Sequence, residues 1–366
     1  MAKLAELFGW RVDDATLLEP HKDWLTCNCP FTDRVCDVSA NRGDRAYFDM
    51  NGRAITDKDR EIFEKYYKSD KKTPLGVCTV STKRRFEATS KPWIVCPKRM
   101  MDLRRKAPKE GVPKILQEPP KILPEVKSLI PIKPGTNVRC WWEFKFASNE
   151  ISEDIDAASR FFEFTFDYII MEIQTSADGK TKIVGPPYIL EIMTSSTRGG
   201  GLMEHMADVL ALREQRRLMK PAVSSPYTPN YRQVFGRMAS QLFAKSEAAE
   251  AWGGKAIWIV QDVLLEYIEQ TTAFRSSYFT SNNDGNVNMV VYKLTENMHD
   301  RQYNLTYDRT LIGKSRPDDT ETPSFASMLG SGYIPPLTRL ISTLDTAQSK
   351  RQKDLNKANW IDFTWP

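Results

Sequence analysis

At 366 residues the chain is long enough for a large core and two domains, and 41% hydrophobic with 27% charged residues is the composition of a globular protein. No run approaches the roughly 18 apolar residues that a membrane span needs, and the opening MAKLAELFGWRVDD carries charge where an export signal has an apolar core. A net charge of +5 decides little, but six cysteines in a chain expected to stay in the cytoplasm point to metal ligation or free thiols rather than disulfides.

Residues 1–20 read as a short helix followed by a polar turn. The cysteines come next, with Cys29 and Cys36 forming one close pair and Cys78 and Cys96 another across a long insertion. Four thiolates converging on one point make the closed tetrahedral geometry of structural zinc or of a single iron ion. The spacings are looser than C-x-x-C, so buried free cysteines are the alternative. Cys27 could stand in for Cys29, and Cys140, before Trp141-Trp142, reads as core. Within the insertion, Thr56 to Tyr67 reads as a capped helix with acids in its first turn.

Between Lys71 and Lys109 there are twelve Lys and Arg against two acids, Glu87 and Asp102. Such a block, with Lys83, Arg84, Arg85, Lys98, Arg99, Arg104 and Arg105 as candidate DNA contacts, suits a phosphate backbone. A solvated basic surface is the competing reading. The proline-rich run that follows cannot hold a regular helix or central strand, and is expected to be an extended connector. The division is thus 1–105, a linker at 106–138, and a second domain at 139–366.

From Cys140 onward the pattern is α/β. Trp141 to Phe146 reads as a strand, and Asn149 to Asp154 as a helix start. In FFEFTFDYII, period-two alternation puts Phe162, Phe164, Phe166 and Tyr168 on one side and Glu163, Thr165 and Asp167 on the other. Ala177-Asp178-Gly179-Lys180 supplies a turn, and after Gly185-Pro186-Pro187 a second strand runs from Tyr188 to Ser195. A hairpin of this kind can bring Asp167 and Glu191 within reach of one hard cation, and Mg²⁺ favours one or two carboxylates plus waters. Helices are expected at Leu202 to Met219, Tyr231 to Ala251 and Val263 to Gln270. Strands follow at Ala256 to Val260, Asn288 to Leu294 and Gln302 to Ile312, and Leu337 to Ala358 reads as a polar helix.

The ordered set Cys29-Pro30-Phe31, Gly76-Val77-Cys78, Val95-Cys96-Pro97, Phe164-Thr165-Phe166-Asp167 and Leu190-Glu191-Ile192, with a weaker Val234-Phe235-Gly236-Arg237-Met238, resembles the NotI-like family of type II restriction endonucleases. The pieces span most of residues 27–260. The resemblance implies an α/β class, with a restriction-endonuclease-like mixed sheet core flanked by helices and a small N-terminal metal-binding domain. It implies iron, or zinc, on Cys29, Cys36, Cys78 and Cys96. It also implies catalytic Mg²⁺ on Asp167, Glu191 and the carbonyl of Ile192, with Glu150 as an added acid and Glu153 its rival. The expected activity is Mg²⁺-dependent hydrolysis of phosphodiester bonds in double-stranded DNA by a homodimer reading a palindrome, in a prokaryotic cytoplasm.

Met193 departs from this pattern, because the family has glutamine there and its wider superfamily usually lysine. A thioether is a poor partner for a water on a hard cation. Another side chain could reach in, Gln241 or Lys180; the register could shift to Glu172-Ile173-Gln174; or cleavage could be impaired, leaving a DNA-binding protein. A repair nuclease or exonuclease on the same core is a further possibility. Gly253-Gly254-Lys255 is no phosphate loop, and His21, His205 and His299 offer no obvious histidine-metal site or triad.

Overall fold

The computed structural model describes residues 2–11, 28–32, 34–36, 47–49, 72–74, 76–83, 87, 89–103, 121–150, 160–178, 181–194, 197–198, 224–225, 228–296 and 302–329. The helices expected at Thr56 to Tyr67, Leu202 to Met219 and Leu337 to Ala358 lie outside them, as do Cys27, Glu153, Lys180 and the three histidines.

The N-terminal strands are β1 (Ala2–Leu7), β2 (Trp10–Arg11), β3 (Asn28–Cys29), β4 (Arg34–Val35), β5 (Tyr47–Asp49), β6 (Lys72–Pro74), β7 (Val77–Thr82) and β8 (Lys91–Ile94). A short helix α1 (Pro124–Ser128) precedes β9 (Val138–Glu150), β10 (Arg160–Thr175) and β11 (Thr181–Met193). Three two-residue strands follow, β12 (Thr197–Arg198), β13 (Ser224–Ser225) and β14 (Thr228–Pro229). The chain then forms α2 (Tyr231–Ala251), β15 (Lys255–Gln261), α3 (Asp262–Thr271), β16 (Val287–Glu296) and β17 (Tyr303–Gly313).

The central feature is a six-stranded mixed sheet in the order β17-β16-β15-β11-β10-β9. β9, β10 and β11 form an antiparallel meander, β15 and β16 add in parallel, and β17 returns antiparallel. Parallel neighbours need a crossover, and α2 and α3 lie on the connections from β11 to β15 and from β15 to β16. The strands are apolar at successive positions because both faces are covered. On one face Trp258, Val260, Met289 and Val291 pack against Val234, Met238 and Leu242 of α2 and Val263, Leu264 and Ile268 of α3. On the other, Tyr168, Leu190, Ile192, Ile257, Ile259 and Val290 pack against Met100, Met101, Leu103 and Val126.

That second covering corrects the expectation of a purely extended connector. Within 121–132, Ile122, Leu123, Leu129, Ile130 and Ile132 pack on the sheet around a fully buried Val126, and Tyr292 donates to Glu125 at 2.6 Å. Prolines forbid a hydrogen-bonded ladder but not docking of an apolar strap. The N-terminus also differs from expectation. Ala2–Leu7 is a strand, paired with β7, β2 and β13, rather than a helix. Its Leu7, with Phe8, Val77, Val80 and Trp93, continues the apolar cluster of α2 and α3, so the N-terminal sheet shares a core with the central one. Gln261 ties the two by accepting from Ile94 N–H and donating to Pro92 O, both at 2.8 Å.

In the second half, α2 matches the expected Tyr231 to Ala251, and Asn230 caps it by accepting from Gln233 N–H at 3.3 Å. β11 starts at Thr181, earlier than expected, and runs through Gly185-Pro186-Pro187. Gly185 takes φ +79° there, and the β10–β11 register shifts between Ile170 and Glu172. Among the described residues, no helix is long and apolar enough to cross a membrane.

Candidate functional site

The β10–β11 ladder is regular up to the pair Tyr168↔Leu190. The next position would set Asp167 opposite Glu191, and here the side chains replace the ladder. Asp167 Oδ2 accepts from Ile192 N–H at 2.9 Å, and Glu191 Oε1 accepts from Asp167 N–H at 3.3 Å. Each carboxylate is thus aligned by the backbone of the opposite strand. The irregularity continues into the neighbouring strand, where Glu143, between the partners of Phe166 and Tyr168, has φ +49°. It also breaks the expected alternation. Phe166 packs toward Ala249 of α2, whereas Tyr168 packs toward Met101 and Leu103.

Glu191 is fully buried and Asp167 half-buried. Glu191 points to the helix side, where Lys245 of α2 donates to its Oε2 at 2.7 Å and to Thr165 O at 2.7 Å. Lys245 has 0% exposure, and its Nζ lies 5.2 Å from the centroid of the Phe166 ring. Burial, and after it the Asp167 carboxylate, pushes the Glu191 carboxyl up to about 8, against the pull of Lys245. A divalent cation beside both carboxylates would reverse that upward push.

No protein-family model and no curated protein matches this chain.

Two oxygen-bearing acids, one buried and one half-exposed, suit a hard cation that keeps several waters. Among the described residues no group of three or more His, Cys, Asp or Glu is arranged around a metal position, the four cysteines included. The other expected members of the site fare differently. Ile192 is at the site through its N–H. Met193 follows Glu191 on the same face, but it is buried in the apolar cluster with Val234 and Met238. Gln241 is on α2, one turn before Lys245, and it is Lys245 that meets Glu191. Glu150 is not on a helix. It ends β9 opposite Arg160, seven residues along β10 from Asp167, roughly 23 Å at strand rise. Glu172, of the alternative register, pairs with Val184 five residues along β10 from Asp167, beyond the register shift.

Lys245 was legible in principle. The buried face of α2 is Val234, Met238, Ala239, Leu242, Lys245, Ser246 and Ala249, so a lysine occupies an apolar stripe of helical period. Ser246 shares that stripe and accepts from Trp258 Nε1 at 3.1 Å, fixing α2 on β15.

The four cysteines are all buried. Cys78 and Cys96 are neighbours on the β7–β8 hairpin, where Val95 and Cys96 N–H both donate to Cys78 O at 3.0 and 3.3 Å. Cys29 lies in β3, opposite Arg34, and Cys36 directly follows β4. Burial raises the Cys78 thiol most, followed by Cys96, Glu6, Cys29 and Cys36, so the other three thiols all lie within electrostatic reach of it. Cys140 is half-buried and packs near the second cluster.

Of the candidate DNA contacts, Lys83 is exposed, and Arg84, Arg85, Arg104 and Arg105 lie outside the described residues. Lys98 and Arg99 are buried, which corrects their assignment to a free basic surface. Arg99 Nε donates to Glu6 Oε2 at 3.1 Å, and its guanidinium sits 4.6 Å from the centroid of the Phe31 ring.

Proposed function

We propose that the protein is a metal-dependent deoxyribonuclease of the type II restriction kind, cutting both strands of double-stranded DNA at a specific palindromic site. The observation that carries this reading is the meeting of Asp167 and Glu191 where the β10–β11 ladder opens, each aligned by the other strand's backbone. On this reading the six-stranded sheet with α2 and α3 is a restriction-endonuclease-like core. Asp167, Glu191 and the Ile192 carbonyl would hold Mg²⁺. When bound, such an ion polarises a phosphoryl oxygen and eases deprotonation of the attacking water. Asp167, half-exposed, faces incoming substrate, while buried Glu191 fixes the inner side. Met193 adds only apolar packing.

Cys29, Cys36, Cys78 and Cys96 would hold iron or zinc. The support is that all four are buried, two on each of two hairpins. Metal per chain by emission spectroscopy tests this, since oxidised tetrathiolate iron is coloured and zinc is not. Lys83 with the neighbouring arginines would meet phosphates, and a palindromic site calls for a two-fold homodimer.

Purified protein incubated with plasmid and Mg²⁺ should give discrete fragments, and Asp167→Ala or Glu191→Ala should abolish them. Retarded but uncut plasmid would favour the second reading, a DNA-binding protein with an impaired core, for which Met193 speaks. Ladders or eroded ends would point to a repair nuclease or exonuclease.

A further inference from the structure

We infer that Lys245, reaching in from α2, is the positioning residue of this site and performs from a helix what strand position 193 cannot. The inference rests on the nuclease reading above. Phosphodiester hydrolysis here would gather a phosphate beside two carboxylates, and a donor of positive charge fixed in advance stabilises such a cluster better than water does. Met193 follows Glu191 on the same face of β11 and has no proton to donate. Lys245 has three, and two of them go to Glu191 Oε2 and Thr165 O. The Thr165 carbonyl stands two residues before Asp167, so the ammonium spans both strands of the hairpin at the point where they part. Fully buried, it holds the Glu191 carboxylate against the strand that carries Asp167 before any substrate arrives.

Stability alone does not explain a lysine in this place. It sits in an apolar stripe between Leu242 and Ala249, and a buried ion pair is commonly no more stable than an apolar replacement of the same volume. Residue 193 supplies the complementary piece. It is a long, unbranched side chain of nearly lysine length, buried on the same face as Glu191.

The test is a relocation. Lys245→Met and the double variant Lys245→Met/Met193→Lys are compared with wild type for cleavage at saturating Mg²⁺. Duplex binding in Ca²⁺ and melting temperature are measured alongside. The expected result is a loss of cleavage of at least about 100-fold in Lys245→Met, with duplex affinity changed less than about threefold. At least about tenfold of that loss should return in the double variant. Cleavage by folded Lys245→Met within about threefold of wild type would overturn the inference, as would a double variant no faster than the single one. Both outcomes differ from failure of the nuclease reading itself, in which wild type leaves DNA uncut.

Discussion

Glu6, fully buried, and Asp262, half-buried, show how differently two acids can be treated in one molecule. Glu6 is fully buried and fully partnered. Arg99 donates to both its oxygens at 3.1 and 3.3 Å, Tyr303 N–H donates at 3.3 Å, and the Thr79 hydroxyl adds a short contact. Removing one member of such a pair leaves an uncompensated charge, so Arg99→Met should cost about 3–5 kcal/mol in chemical unfolding. Lys83→Ala, at an exposed site, should stay within about 0.5 kcal/mol. Asp262 is less well served. Burial pushes its carboxyl up to about 6, against the bond from Val263 N–H at 2.8 Å. A raised acid destabilises the fold only when ionised. The cost is therefore absent below the unfolded value near 4, grows as pH rises, and is complete above about 6. Asp262→Asn should raise stability by about 2 kcal/mol at pH 7.5 and by almost nothing at pH 4, read from urea midpoints at the two values. At this scale the sequence exposed Asp167 and Glu191, because each is a lone acid within an apolar strand segment. Lys245 shows in the sequence only as a lysine in an apolar helical stripe, and its meeting with Glu191 depends on how α2 lies across the sheet.

Among the elements, α2, β15, α3, β16 and β17 were readable because local pattern and tertiary burial agree there. β1 was not. Ala, Lys, Leu and Glu favour helix, and Ala2–Leu7 becomes a strand through partners more than seventy residues away in β7 and over two hundred away in β13. The proline-rich strap departs from an extended connector for a related reason. Its prolines fix local conformation, but its isoleucines and leucines decide where it docks. The placement of β15 beside β11, which sets Glu191 next to Trp258, depends on a close approach at Gly254. A Cβ there would sit 1.8 Å from the Pro187 carbonyl oxygen. Gly254→Ala should therefore cost about 3 kcal/mol in unfolding experiments and lower cleavage too, although residue 254 is remote from the carboxylates. A change in stability like that of an exposed alanine substitution would contradict the tight packing.

For the whole molecule, the shared apolar cluster makes the N-terminal sheet part of the scaffold that holds α2 and α3. Gln261 and the Glu6–Arg99–Tyr303 contacts join that sheet to β15 and β17. Metal held by Cys29, Cys36, Cys78 and Cys96 would thus brace one side of the same body that carries the carboxylates on its central strands. The proposed chemistry needs those two acids to share one divalent ion. The most direct measurement is Mn²⁺ binding followed by paramagnetic resonance, on wild type and on the Asp167→Ala and Glu191→Ala proteins. One ion per chain competed by Mg²⁺, and lost in both variants while their melting is preserved, is the expected result. An ion retained at wild-type affinity by either variant would contradict it.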